Sequence, residues 1–389
     1  MDSGVNKNWS SGDEKLLLDT IDHWVENEVK PIAREHDQED KYPEELVERM
    51  KELGLFGSTI SPEYGGLGLP ASIYAKIVTR LSSVWIVPGG IFNTHLVMAA
   101  AIERCGMEAQ KQEWLPKMAS GELRGGIALT EPDAGTDLQS IRTRADRNEK
   151  GYLLNGTKMW ITNALHGNCL MVLAKTDLTA QPAHKGMSAF LCHKGAGYDV
   201  AKKLKKMGYR AIDTCELTLD NKQVVPEALL GGEEGRGLQQ VLGGLELGRI
   251  NVAARGAGMA EGALKMAVRY AQERETFGKP IAEHQAIQLK LADMATKVEA
   301  SKLLVESAAT KLDTGQRCDM EAGMAKYFAS EAGVYCAQEA MRIFGGNSYS
   351  TEYEIERFYR DSMLMCIGEG TNELQQIIVA KQLIQRNKI

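Results

Sequence analysis

The first 121 residues carry hydrophobic positions at the spacing of α-helices. Ser11 and Glu14 have the spacing of a capping box at the start of the first helix, and Pro31 marks its expected end. Its apolar face is formed by residues three or four apart: Leu17, Ile21, Trp24 and Val25. Further helical patterns cover residues 43–54, 71–83 and 91–118, and a loop is expected at 61–70. This block predicts an α-helical N-terminal domain over residues 1–121.

The pattern changes over residues 122–235, where short runs rich in β-forming residues alternate with turn residues. The expected strands are 126–130, 141–145, 152–155, 169–174, 187–192 and 214–219. Turns are expected at Asn155-Gly156, at Asp220-Asn221 and over residues 195–197. Many short strands at close spacing favour a small antiparallel sandwich or barrel in the middle of the chain.

The helical period returns at about residue 236 and persists to residue 389. One long helix is expected to end at Gly278 and Pro280, and another to run from about 282 to 314. A helix block, a β block and a second helix block predict an α+β protein with domains near 1–121, 122–235 and 236–389.

Composition excludes several classes of protein. Apolar residues make up 43% and charged residues 25%, which is typical of a globular protein. The net charge is 46 − 52 = −6, which disfavours nucleic-acid binding. Seven cysteines without a C-x-x-C pair indicate reduced thiols, and seven histidines without metal-ligand spacing predict no metal site.

The start of the sequence predicts no targeting signal. The polar, acidic start lacks the apolar core of a signal peptide and the arginine-rich helix of a transit peptide. No stretch approaches 18 consecutive apolar residues, so no membrane span is expected. We expect a cytoplasmic protein; the alternative is a mature mitochondrial form whose leader has been removed.

The stretch from Cys366 to Gln375 contains the main candidate for chemistry. It places the carboxylate of Glu369 between Gly368 and Gly370, directly after an apolar run. Flanking glycines allow a ligand to approach the backbone, and an apolar setting raises the pKa of a carboxyl group and suits it to act as a base. Thr371 is the expected N-cap of the next helix, and Glu373 suits its first turn. Taken alone, the stretch favours a solvated turn glutamate, because charged residues are mostly exposed.

Five motifs extend this interpretation to the whole chain. They are GIALTEPDAGTDLQSI at 126–141, GTKMWITNA at 156–164, RETFGKPIAEHQAIQ at 274–288, MRIFGGN at 341–347 and IGEGTNE at 367–373. In this order they resemble the acyl-CoA dehydrogenase family, and the resemblance runs from about residue 13 to about residue 385. It implies an α-helical N-terminal domain, an antiparallel β middle domain, a C-terminal four-helix bundle and FAD as cofactor.

The resemblance assigns residues to the cofactor. Within one subunit it implies flavin or pyrophosphate contacts from Leu129, Thr130, Thr136, Trp160 and Thr162. Contacts to the FAD of a neighbouring subunit are implied for Arg274, Phe277, Gln285, Arg342, Gly345 and Gly346. Arg342 stands where many relatives carry glutamine. Thr371 and Glu373 complete the expected cofactor set. Contacts from two chains imply a homo-oligomer, and relatives are commonly tetramers.

The resemblance also assigns residues to the substrate, an acyl-CoA. Arg249 matches a residue near the coenzyme A and the catalytic pocket; the alternative is a helix-surface arginine. Asn93 and Thr94 match the helix that lines the far end of the acyl pocket; the alternative is that they cap or cross-link helices. Thr136, Gly368 and Gly370 are further expected contacts. Since straight-chain relatives often carry tyrosine at the position of Gly368, we expect a branched, cyclic or polar-ended acyl group.

The implied reaction is α,β-dehydrogenation to a trans-2-enoyl-CoA. Glu369 removes the α-proton, FAD takes the β-hydride, and an electron-transfer flavoprotein accepts the electrons. A subfamily carries its base near Gly248, where this chain has glycine, and Glu246 lies two residues earlier. The alternatives are an oxidase or monooxygenase that uses oxygen, a nucleic-acid-associated flavoprotein disfavoured by the net charge and the chain length, and a non-catalytic scaffold disfavoured by Glu369.

Overall fold

The computed structural model describes residues 9–388. Six helices form the N-terminal part: α1 (Ser11–Trp24), α2 (Lys30–Glu39), α3 (Glu44–Glu52), α4 (Ala71–Ser82), α5 (Ile86–Cys105) and α6 (Glu108–Ala119). The capping box of α1 uses Ser10 and Asp13, one residue earlier than expected. The helical path also continues past Pro31, contrary to expectation. A π-helical turn, Val25–Val29, precedes α2, and Pro31 lies in the first turn of α2, where its missing N–H is tolerated.

Helix α5 is the central helix of the N-terminal part. Of the helices in residues 9–388, it alone is long and apolar enough to cross a membrane, although it contains no run of 18 consecutive apolar residues. Over its most apolar 18 residues, 83% of the helix is buried inside the protein. It packs against α4, α6 and α8 (Leu245–Glu273). Its apolar composition is therefore that of a core helix.

The middle of the chain forms a seven-stranded sheet. The strands are β1 (Ile127–Ala128), β2 (Arg144–Asn148), β3 (Gly151–Thr162), β4 (Cys169–Lys175), β5 (Met187–His193), β6 (Tyr198–Lys203) and β7 (Thr214–Val224). Their order is β1-β4-β2-β3-β7-β6, with β5 paired to β4. Most pairs are antiparallel, as expected, whereas β1 runs parallel to β4.

Two expected turns in the sheet were wrong, and one strand was missed. Asn155-Gly156 and Asp220-Asn221 are not turns; they lie inside β3 and β7, where the pairing of these two strands shifts register. Glycine is required at 156 because an added Cβ would lie 2.4 Å from Oγ1 of Thr143. Strand β6 was not anticipated, since only Tyr198 of its six residues is buried and the run therefore lacks a clear apolar pattern.

The C-terminal part is helical. After the short α7 (Gly237–Leu242) and α8 come α9 (Gln285–Asp313), α10 (Asp319–Phe344), α11 (Ile355–Ile367) and α12 (Asn372–Arg386). A two-stranded hairpin, β8 (Glu275–Thr276) and β9 (Lys279–Pro280), separates α8 from α9. Helices α8, α9 and α10 pack on one another, and α11 and α12 pack on α10. The predicted α+β arrangement of helical, β and helical parts is confirmed.

Small residues bring α8 and α10 close together. An added Cβ at Gly256 of α8 would lie 2.6 Å from the carbonyl oxygen of Ala329 on α10. Ala253, Ala257 and Ala260 of α8 are also buried. Helix α8 also packs on α4, so the N-terminal and C-terminal helices share one core. The active-site candidates are placed by this shared core.

Candidate active site

Glu369 lies in a tight turn between α11 and α12. The N–H of Gly368 donates to the carbonyl of Leu364 and ends α11. Glu369 then takes the left-handed conformation at φ 57°, and Gly370 follows at φ 86°. A non-glycine residue in this region carries a strain on the order of 1 kcal/mol. Thr371 caps α12 by accepting from the N–H of Leu374 at 3.4 Å, so the predicted cap is confirmed.

The two oxygens of the Glu369 carboxylate have different surroundings. Oε1 accepts a hydrogen bond from Nδ2 of Asn93 at 2.9 Å. Oε2 is buried and has no hydrogen-bond partner. Burial raises the pKa of Glu369 above its ordinary value, while the charge of Arg255 and the bond from Asn93 act in the opposite direction. A carboxylate with one fixed oxygen, one free oxygen and a raised pKa has the properties of a general base.

Gly248 on α8 faces this carboxylate. An added Cβ at Gly248 would lie 2.5 Å from Oε2 of Glu369. The position from which a subfamily supplies its base is therefore next to Glu369, and this chain leaves it without a side chain. Glu246 instead lines a separate cavity of about 300 Å³ together with Glu103 and Arg104. The geometry favours Glu369 over Glu246 as the base.

Arg249 belongs to the surroundings of Glu369. Its Nε is buried without a partner, so the alternative of a helix-surface arginine does not describe it. Burial lowers the pKa of Arg249, and the carboxylates of Glu246 and Glu369 oppose that effect. The guanidinium thus supplies positive charge near the carboxylate of Glu369.

Asn93 and Thr94 make different contacts. Nδ2 of Asn93 donates to the carboxylate of Glu369, so Asn93 lies beside the candidate base. The hydroxyl of Thr94 accepts from the N–H of Ile127 at 3.2 Å and so links α5 to β1. This bond is consistent with the alternative that Thr94 cross-links elements of the fold.

Arg255 and Tyr209 were missed by sequence reasoning. Arg255 is 5% exposed, and its Nη1 donates to the hydroxyl of Tyr209 at 3.3 Å. That hydroxyl fits only because Gly90 lacks a side chain, since an added Cβ there would lie 1.5 Å from it. The available signal was charge: Arg255 is the only charged residue between Arg249 and Glu261. Of the groups that lower the pKa of Glu369, the positive charge of Arg255 has the largest effect.

The expected flavin contacts gather at the edge of the sheet. Trp160 and Thr162 end β3, and Trp160 takes φ 64° with 59% of its surface exposed. The segment after β1 lies beside it, since the N–H of Met159 donates to the carbonyl of Thr130 at 2.8 Å. An exposed tryptophan next to a threonine hydroxyl fits the aromatic wall and polar edge that a flavin ring requires.

A buried ion pair holds this segment. Nζ of Lys158 donates to Oε1 of Glu131 at 2.8 Å and to the carbonyl of Leu129 at 3.0 Å. Glu131 also accepts the N–H groups of Arg142 and Thr143, at 2.6 and 2.9 Å. Burial lowers the pKa of Lys158 to about 8. Both residues lie in motifs that were recognised, yet their pairing was not foreseen because 26 residues separate them.

Other expected cofactor residues are exposed. Thr136 is exposed, and an added Cβ at the neighbouring Gly135 would meet nothing within 4 Å. Arg274, Phe277 and Gln285 surround the β8–β9 hairpin, where Phe277 is 97% exposed at φ 53°. The ring of Phe277 is therefore open to contact by a ligand or a partner.

The end of α10 carries the remaining group. Gly345 and Gly346 are exposed, and an added Cβ at either would meet nothing within 4 Å. Arg342 forms an ion pair with Glu339 at 2.9 Å, and 58% of its side chain is exposed. The structure thus gives three separate groups: the surroundings of Glu369, the sheet edge at Trp160, and the exposed residues of the hairpin and the end of α10.

Family models match three successive parts of the chain. Residues 11–122 match the model described as acyl-CoA dehydrogenase, N-terminal domain; residues 126–222 match the middle domain; residues 235–384 match the C-terminal domain. Together they span most of the 389 residues. The chain belongs to the acyl-CoA dehydrogenase family. The predicted family and enzyme class are therefore confirmed, and the protein is an oxidoreductase of the acyl-CoA dehydrogenase class.

Individual members of the acyl-CoA dehydrogenase family match over nearly the whole chain. An acyl-CoA dehydrogenase of Bacillus subtilis (strain 168) is 39% identical over 374 residues, covering 96% of this chain and 98% of that protein. A (2S)-methylsuccinyl-CoA dehydrogenase of Cereibacter sphaeroides is 37% identical over 381 residues, covering 95% and 69%. A chain in the solved structure described as the electron transferring flavoprotein of Acidaminococcus fermentans has a TM-score of 0.93 at 37% identity, covering 99% and 100%.

Proposed function

We propose that this protein oxidises an acyl-CoA thioester to the trans-2-enoyl-CoA, with Glu369 as the base. The observation that carries the proposal is the carboxylate of Glu369, whose Oε1 is held by Asn93 while Oε2 is buried and free. Oε2 takes the α-proton, and the electron pair of that C–H bond becomes the new double bond as a hydride leaves the β-carbon. When bound, FAD supplies the acceptor for that hydride.

The residues of this chain fit FAD. Trp160 offers an exposed aromatic face, and Thr130 and Thr162 offer polar groups beside it. We propose that Leu129, Thr130, Thr136, Trp160 and Thr162 hold the cofactor of the same subunit. The Lys158–Glu131 pair keeps the Leu129 segment against β3, so its backbone is fixed before the cofactor binds.

We further propose that the cofactor site is completed by a second copy of the chain. The 97% exposure of Phe277 and the open surroundings of Gly345 and Gly346 support a covered surface. Arg274, Gln285 and Arg342 would add polar and charged groups to it. To bind a phosphate, the guanidinium of Arg342 would turn away from Glu339, or it would donate to Glu339 and to the phosphate at the same time. The proposed assembly is a homo-oligomer of the tetrameric kind common among relatives.

An electron-transfer flavoprotein is the proposed electron acceptor. The structural match to a chain in the Acidaminococcus fermentans electron transferring flavoprotein structure supports it. Oxygen is the alternative acceptor. Anaerobic turnover with an artificial acceptor, together with negligible peroxide formation in air, is the result expected for a dehydrogenase; rapid peroxide formation would identify an oxidase.

The acyl group is proposed to be branched, cyclic or polar-ended. Gly368 has φ −69°, and an added Cβ would come no closer than 3.4 Å to its neighbours, so neither backbone nor packing requires glycine there. We infer that the missing side chain leaves room for a ligand. The similarity to a (2S)-methylsuccinyl-CoA dehydrogenase, whose name indicates a branched acyl group, supports this class.

The function is tested by flavin reduction under anaerobic conditions. The purified protein is mixed with butyryl-, octanoyl-, isobutyryl-, 2-methylbutyryl-, cyclohexanecarboxyl- and methylsuccinyl-CoA, and loss of the visible flavin absorbance is followed. We expect rapid reduction by at least one branched, cyclic or carboxylated thioester. A protein that carries FAD and is reduced by none of them would contradict the proposed reaction on this substrate class.

A further inference from the structure

A buried lysine on α10 contacts the turn that carries the base. Lys326 is 0% exposed. Its Nζ donates to the carbonyls of Cys366 and Gly370, at 3.2 and 2.9 Å, and to Oδ1 of Asn372 at 2.8 Å. A lysine ammonium has three donors, so this set is complete. All three acceptors lie in residues 366–372, on both sides of Glu369.

This arrangement is costly for a lysine. A buried ammonium requires compensation, and within residues 9–388 Lys326 forms no ion pair, since its three acceptors are uncharged. Burial lowers the pKa of Lys326 to about 8, against the opposing influence of Cys366 and Glu369. An apolar side chain would avoid this cost in a bundle core. The lysine therefore has a role that an apolar side chain would not fill.

Neighbouring groups fix the acceptors. Nδ2 of Asn372 donates to Oε1 of Glu331 at 2.8 Å, which turns its Oδ1 toward Lys326. Ser330, one turn further along α10, donates to the carbonyl of Met365 at 2.8 Å. Nε2 of Gln375 donates to the carbonyl of Gly370 at 3.2 Å. The end of α11 and the start of α12 are thus bound to one face of α10.

The turn needs such support because it is strained and carries the base. Glu369 is held at φ 57°, and its side chain has one hydrogen bond, from Asn93. Proton abstraction requires Oε2 at a defined distance from the α-carbon, and a misplacement of about 1 Å costs on the order of 10²-fold in rate. Removing the central donor from the turn would permit a shift of this size.

We propose that Lys326 is a positioning residue for the base: its three hydrogen bonds to residues 366–372 fix the turn so that Oε2 of Glu369 meets the α-proton of the substrate. Lys326 touches no substrate and transfers no proton. The inference rests on the proposed function, since it assigns Lys326 its role through Glu369.

The test compares Lys326→Met with the wild-type protein, both loaded with FAD. The probe is the thioester of the panel that reduces the wild-type flavin fastest. We expect the rate of flavin reduction per bound FAD to fall on the order of 10²-fold, with the dissociation constant of the thioester changed less than about threefold. Exchange of the α-proton in D2O, also expressed per bound FAD, should fall by the same factor, which loss of folded protein alone would not produce.

Lys311→Met is the matched control. Lys311 pairs with Glu321 at 2.6 Å between α9 and α10 and lies away from the turn. Its loss should lower Tm and leave the rate per bound FAD within about twofold. If Lys326→Met does not fold, Asn372→Ala removes one of the three acceptors and should lower the rate at least about threefold at unchanged thioester affinity.

The outcomes separate the inference from the proposed function. A wild-type rate retained in Lys326→Met, or in Asn372→Ala where only that variant folds, would overturn the role of Lys326 and leave Glu369 as the base. A wild-type protein that shows neither flavin reduction nor α-proton exchange would instead contradict the proposed function. A fall in α-proton exchange in Lys326→Met, or in Asn372→Ala where only that variant folds, that is absent from Lys311→Met supports the inference.

Discussion

At the scale of single residues, the two carboxylate oxygens of Glu369 have different surroundings and different proposed roles. Asn93 fixes Oε1, and burial leaves Oε2 unpartnered. Arg255 and Arg249 provide positive charge that opposes the effect of burial on the pKa of Glu369. A base of this kind is deprotonated only above its raised pKa, so kcat/KM should fall as the pH is lowered through that value.

Asn93→Ala tests this division. The bond from Asn93 stabilises the charged carboxylate, so its loss should raise the pKa of Glu369 further and move the acidic limb of kcat/KM to higher pH. At neutral pH we expect a loss of about tenfold, the size of one charge-assisted hydrogen bond of roughly 1.5 kcal/mol. Asn251→Ala, which removes a 2.7 Å bond to Tyr74, is the control and should leave the acidic limb in place. An unshifted limb in Asn93→Ala would contradict the assignment.

At the scale of elements, the sequence could predict the turn that carries Glu369 but not what surrounds it. The glycines at 368 and 370 and the cap at Thr371 are local signals, and they placed the start of α12 correctly. Tyr209, in the loop between β6 and β7, and Arg255 on α8 are 46 residues apart and meet only in the folded chain. Such contacts depend on tertiary packing, which cannot be predicted from the local spacing of hydrophobic residues.

The same distinction applies to secondary structure. The long helices α8 and α9 were predicted because their apolar positions repeat over many turns. Pro31 was expected to end a helix, yet the π-helical turn before it accommodates the missing N–H. The sequence Asn155-Gly156 is typical of a turn, yet it lies inside β3 at a register shift. Its conformation is set by the pairing of β3 with β7.

The turn between α11 and α12 also contains Gly368, the residue on which the proposed choice of substrate depends. Gly368→Tyr should lower kcat/KM for branched thioesters at least about tenfold more than for butyryl-CoA, a difference of about 1.4 kcal/mol. Gly368→Ala is the graded control and should stay near wild type, since the added Cβ would come no closer than 3.4 Å to its neighbours. Equal losses for branched and straight thioesters in Gly368→Tyr would show that Gly368 does not set the choice.

At the scale of the whole molecule, exposed residues point to an assembly. Phe277 is 97% and Tyr349 is 90% exposed, on the β8–β9 hairpin and after α10. Their rings offer apolar surface that a second copy of the chain would remove from water on association. The proposed oligomer accounts for both exposed residues. Because FAD would contact two copies of the chain, FAD binding and the association of those copies would stabilise each other.

Phe277→Ala or Arg274→Ala should therefore weaken FAD binding and the oligomer together. We expect at least about tenfold weaker FAD retention and a shift toward smaller species in sedimentation or light scattering. Leu178→Ala is the control, because Leu178 is 71% exposed but lies outside both groups of cofactor residues. A native protein that is monomeric and fully loaded with FAD would be incompatible with the proposed sharing of the site.

The most direct test of the central claim is the anaerobic single-turnover rate of flavin reduction in Glu369→Gln. The amide keeps the size of the side chain but cannot take the α-proton. We expect the variant to bind FAD and acyl-CoA and to lose at least roughly 10³-fold in rate, whereas Glu246→Gln stays near wild type. A near-wild-type rate in Glu369→Gln, with the loss appearing in Glu246→Gln, would contradict the account.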